Sequence, residues 1–124
     1  MKQLMFIFIG GGMGSVLRYL ISLPLNKFNF FNIPLGTLLV NVVGSLFIGL
    51  LLGLVLKNNI LNNNQVLFLT AGFCGGFTTF STFAMQNQSL LSSGNYISFA
   101  LYTTASIFLA ILAVFLGLWL IKIT

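Results

Sequence analysis

Apolar and polar positions along the chain fall into four long apolar runs. They span approximately Leu4 to Leu23, Pro34 to Leu56, Gln65 to Leu90 and Tyr96 to Ile121, separated by short stretches of Asn, Ser, Lys and Pro. A helix needs roughly 20 mostly apolar residues to cross the hydrocarbon layer of a bilayer, and each run meets that length. The pattern predicts an all-α membrane protein of four transmembrane helices, one unit over residues 1–124. The polar stretch Lys57, Asn58, Asn59, Asn62, Asn63 and Asn64 offers no apolar face and reads as a loop or frayed end.

Within the runs the polar residues are ordered rather than scattered. The first carries Gly10, Gly14 and Arg18 at i,i+4 steps beside Gly11 and Ser15, a smooth strip on which another helix can approach closely. Arg18 either reaches the membrane interface or draws anions. The second run starts after Pro34, which suits a first helical turn because proline has no amide hydrogen to satisfy. Thr37, Asn41 and Ser45 then share one face at i, i+4 and i+8. An unpaired amide at mid-membrane costs several kcal/mol, so Asn41 requires a partner: another helix, or a polar permeation path.

The third run contains Gly72, Gly75 and Gly76 followed by Thr78 and Thr79, residues that weaken a helix where lipid tolerates only continuous hydrogen bonding. A break is expected between Gly75 and Thr79, buried in an interface that satisfies the freed carbonyls. Beyond it Phe80 and Phe83 share a face, with Thr78, Thr82 and Gln86 on an adjacent one. The fourth run places Ser98, Tyr102 and Ser106 on one stripe and ends in Trp119, an expected interfacial anchor, and Lys122.

Composition sharpens this picture. Hydrophobic residues make up 58% of the chain and charged ones 4%, all basic, too few to cover a soluble domain. With Asp+Glu 0 and His 0, the side chains that carry hydrolysis, metal catalysis or proton relays are missing, so an enzyme is not expected. The same absence excludes a small multidrug transporter, which needs an acidic group in the membrane to exchange protons for cations. Lys2, Arg18, Lys27, Lys57 and Lys122 form no cluster for nucleic acid. Lys2, Lys57 and Lys122 lie on one side of a four-span topology and Lys27 on the other, a bias small enough to allow insertion in both directions. The glycines that interrupt the first run argue against a cleavable signal. Cys74 is the single cysteine and reads as a buried filler.

Aromatic rings carry positive charge at their hydrogen edges, so rings set beside amide and hydroxyl donors can replace water around a small anion. Full charges would hold the ion too tightly for rapid exit.

The residues that carry this chemistry resemble those of the Fluc/CrcB fluoride channels over nearly the full length. The likeness rests on an early glycine-rich run through Gly11, Gly12 and Ser15 to Arg18 and Tyr19, on Gly36 with Asn41, and above all on the twelve-residue segment from Gly72 to Phe83. The resemblance implies a dual-topology antiparallel dimer in the cell membrane with two pores that pass fluoride. It implies that Phe80, Phe83 and Asn41 line the pores, with Ser81, Thr82, Tyr102 and Ser106 along a hydroxyl track and Arg18 in a vestibule. It further implies a central structural sodium ion held by the backbone carbonyls of Gly75 and Thr78 from both subunits. Many members carry a glutamate where this chain has Gln86. Because some bacteria pair two paralogous subunits, both a homodimer and one half of a heterodimer fit the sequence, as does a non-conducting assembly subunit.

Overall fold

The computed structural model of the protein describes residues 1–28, 30–58 and 61–123. Among them, four helical stretches are long and apolar enough to cross a membrane: Lys2–Leu25, Leu35–Lys57, Asn63–Ser92 and Tyr96–Ile123. The chain is a multi-pass membrane protein. Asn59, assigned to a loop from the sequence, lies outside the described residues.

Helix α1 (Lys2–Leu25) runs past Pro24, which sits in its last turn, and the chain leaves through bonds from the Asn26 amide to Ser22 and from the Lys27 amide to Pro24. Helix α2 (Leu35–Asn58) begins directly after Pro34, as the sequence predicts, and the Pro34 carbonyl accepts its first bond from the Leu38 amide at 3.1 Å. In the connection, Phe31 and Asn32 have φ of 51° and 56°, left-handed backbone that is costly for a bulky residue such as phenylalanine.

The third span is assembled from pieces. Helix α3 (Asn63–Leu67) opens with a reciprocal cap: Asn62 Oδ1 accepts from the Gln65 amide at 2.9 Å and Gln65 Oε1 from the Asn62 amide at 3.0 Å. The asparagine-rich stretch thus starts a helix instead of merely linking two. A π-helical segment (Phe68–Cys74) and a short α4 (Gly75–Phe77) follow, then the break, then α5 (Phe80–Ser92). At the end of α5 the Asn95 amide donates to the Leu90 carbonyl and the Gly94 amide to Leu91, with Gly94 at φ 76°. This Schellman closure needs a residue at ease in the left-handed region, and it turns the chain into α6 (Tyr96–Ile123) within three residues.

Two packed pairs organise the bundle. Helix α2 lies along α6, and α1 lies along the π-helical segment and α4. In the second pair the backbones meet directly: a Cβ on Gly14 would strike the Phe73 carbonyl oxygen and the Phe77 amide nitrogen. The strip of small residues on α1 therefore serves helix packing, the usual means of association where lipid tails already solvate apolar side chains.

Candidate functional site: a polar groove at the helix break

The break falls on the threonines, not on the glycines that precede them. Thr78 (φ −90°, ψ 160°) and Thr79 (φ −152°, ψ 118°) are extended, while Gly75 and Gly76 remain helical. Extended backbone suits a β-branched residue, but the cause of the break lies on α2. Asn41 Oδ1 accepts from the Thr79 amide at 2.7 Å, and Asn41 Nδ2 donates to the Thr79 carbonyl at 3.1 Å. In an uninterrupted helix the Thr79 amide would donate to Gly75, so this clasp leaves the Gly75 carbonyl without its helical donor. The next freed carbonyl, that of Gly76, accepts from Ser15 Oγ of α1 at 3.4 Å.

Thr79 also starts the helix that follows. Its Oγ1 accepts from the Thr82 amide at 3.2 Å and donates to Thr82 Oγ1 at 3.0 Å, with Ser81 Oγ 3.4 Å away. Because α5 begins at Phe80, Thr78 is not on the face that spacing assigned to Thr78, Thr82 and Gln86. The track keeps its last two members, and Thr78 stays on the α4 side, where its Oγ1 donates to the Cys74 carbonyl at 2.9 Å.

Against the break lies a groove of about 320 Å³ between α2, α5 and α6. Asn41, Thr78, Thr79, Phe80, Phe83 and Ser106 line it, with Ser45 and the aliphatic side chains of Ile48, Ile107, Ala110 and Val114 completing the wall. Phe83 is 9% exposed and Phe80 79%, their ring centroids 5.7 Å apart and tilted by 44°. Phe83 in turn packs on Tyr102 at 5.3 Å. The Ser106 oxygen is buried with no hydrogen-bond partner among the described residues. Ser45, by contrast, donates back to the Asn41 carbonyl of its own helix at 2.7 Å.

Other residues singled out from the sequence do not line the groove. Tyr102 is fully buried and donates to Gln86 Oε1 at 2.8 Å, while Gln86 Nε2 donates to Thr37 Oγ1 at 2.9 Å. Asn26 joins the same knot, its Nδ2 donating to Thr37 Oγ1 at 3.3 Å and its Oδ1 accepting from the Thr37 amide at 3.2 Å. Ser81 is exposed, and Thr82 and Arg18 are half-buried. Gly75 is exposed. Sequence reasoning missed Asn26 as a partner of Thr37 and gave Thr79 no part beyond weakening the helix. A threonine immediately before Phe80, three residues ahead of a second hydroxyl, is a readable helix start. For Asn26 the sequence carries no such signal.

The family model described as CrcB-like protein, Camphor Resistance (CrcB), matches residues 5–118. The chain belongs to the CrcB family. Among its relatives in that family, a Bacteroides fragilis protein named "Fluoride-specific ion channel FluC" is 49% identical, the match covering 94% of each chain. A protein of the same name from Phocaeicola vulgatus is 48% identical over 97% of this chain and 98% of its own. Another from Azobacteroides pseudotrichonymphae is 46% identical over 94% of both. The family match over residues 5–118 includes the broken span and the groove.

Proposed function

We propose that this chain is a subunit of a fluoride channel that lets the ion leave the cell passively and so limits its toxicity. The observation that carries the reading is the makeup of the groove. Ser106, whose buried hydroxyl has no partner among the described residues, and the amide of Asn41 line one cleft with two phenylalanine rings, and no charged side chain lines it. Such donors stabilise a small anion by replacing its hydration, and the absence of a formal charge leaves it free to move on. The names of the relatives support fluoride as that anion.

The channel is an antiparallel dimer with two pores in this reading. Phe80 stands mostly exposed beside the buried Phe83, and the groove opens to the subunit surface, so a second copy in the opposite orientation would complete its wall. The small difference in Lys/Arg number between the two sides permits both orientations.

A sodium ion at the centre of that dimer is part of the proposal. The chain has neither carboxylate nor imidazole side chains, so a cation must be held by neutral oxygens. The residues fit: the Gly75 carbonyl has lost its helical donor, Gly75 is exposed, and Thr78 ends α4. Gly75 and Thr78 carbonyls of two copies would hold the ion. Bound there, it would offset the carbonyl dipoles gathered at the break.

The deciding experiment is fluoride efflux from liposomes containing this chain alone. Release of fluoride down its gradient with little chloride leak is expected. Equal movement of both halides rejects the assignment, and no movement of either rejects a channel built from this chain alone.

A further inference from the structure

The far ends of α2 and α6 enclose a second concavity, of about 430 Å³, which the channel reading does not use. Leu56, Phe115, Leu118 and Trp119 form its wall, and Lys57 and Lys122 stand at its rim. The wall is not core: Leu56, Phe115 and Trp119 are all more than half exposed. Lys57 Nζ donates to the Ile121 carbonyl at 3.3 Å, which holds it at the end of α6 close to Lys122 without neutralising either charge. Both cations sit at helix C-termini, where the macrodipole favours them. With no Asp or Glu in the sequence, no side chain of this protein can balance the pair.

A long apolar wall topped by two ammonium groups that no acidic side chain can pair, at a membrane boundary, has the chemistry of an anionic lipid in reverse. We propose that this groove holds an anionic glycerophospholipid, one acyl chain against Phe115 and Trp119 and its phosphate between Lys57 and Lys122. A zwitterionic lipid would cover the wall but leave the charges unbalanced. A free phosphate would balance the charges but leave the wall bare.

Trp119 is the sole tryptophan, so its fluorescence reports on this groove alone. The full chain is reconstituted in mixed bilayers in which a fixed share of either phosphatidylglycerol or phosphatidylcholine carries brominated acyl chains. Brominated phosphatidylglycerol is expected to quench Trp119 more, reflecting local enrichment of about fivefold per ammonium group. Lys57→Gln with Lys122→Gln should abolish that preference. Lys2→Gln with Lys27→Gln, which removes the same net charge elsewhere, should preserve it. Equal quenching of the wild-type protein by the two lipids overturns the proposal, and this comparison depends on no variant. A preference that survives at the groove, or falls equally in the control pair, also overturns it. So does a tryptophan shielded from both lipids, which would mean that a second copy covers the wall, or a preference abolished by soluble glycerol phosphate. Unchanged fluoride efflux in both double variants reports that they are folded.

Discussion

Asn41 and Thr79 hold each other at two points, the Thr79 amide on the asparagine oxygen at 2.7 Å and the asparagine nitrogen on the Thr79 carbonyl at 3.1 Å. One side chain thereby replaces a turn of backbone hydrogen bonding inside the membrane. Replacing Asn41 with leucine removes both partners at once. Each orphaned buried group costs about 1–3 kcal/mol. Asn41→Leu should lower the melting temperature of the detergent-solubilised protein and suppress fluoride efflux together. An unchanged melt would mean that the break is held by something other than this clasp.

The two phenylalanines should separate stability from conduction. Phe83 is buried against Tyr102 and Phe80, and truncating such a ring costs about 3–5 kcal/mol. Phe83→Ala is expected to weaken the fold and abolish flux. Phe80 is mostly exposed in the subunit, so Phe80→Ile should leave subunit stability nearly intact while sharply reducing efflux. Normal fluoride efflux from Phe80→Ile and Phe83→Ile alike would remove the rings from the conduction mechanism.

A glycine pair on α1 tests the packing argument. At Gly14 a methyl group would meet the Phe73 carbonyl, whereas a Cβ at Gly12 has nothing within 4 Å. Gly14→Ala should reduce the yield of folded protein. Gly12→Ala should be neutral or gain up to about 1 kcal/mol from helix propensity. Thermal melts of the two variants side by side check both statements, and equal effects would contradict the geometry.

Gln86, Tyr102 and Thr37 act as a unit through two short side-chain bonds. Gln86→Leu and Tyr102→Phe should therefore be non-additive, with a coupling of about 0.5–3 kcal/mol in a double-mutant cycle read by thermal melting. Additive effects would show that the bond between them contributes nothing of its own.

Sodium is expected to stabilise the proposed dimer. Replacing it with a large organic cation that cannot enter a ring of carbonyls should lower the dimer's thermal stability. Indifference to the exchange would count against the ion and leave the fluoride reading untouched.

Much of this protein is legible in its sequence because lipid imposes a severe rule. Backbone polar groups must be satisfied within the span, so apolar length alone reveals the helices, and the absence of acids removes whole classes of function. The small-residue strip on α1, the polar stripe through Asn41 and the interruption of the third span followed from spacing in the same way. Tertiary structure decided where the interruption falls and what each polar group does. Glycine content pointed to the segment, but Asn41, 38 positions away in sequence, takes the Thr79 amide and moves the break onto Thr78 and Thr79. It likewise turned Tyr102 inward to Gln86 and left Ser106 unpaired in the groove, because a hydroxyl's partner depends on which helix lies opposite, and local spacing carries no record of that.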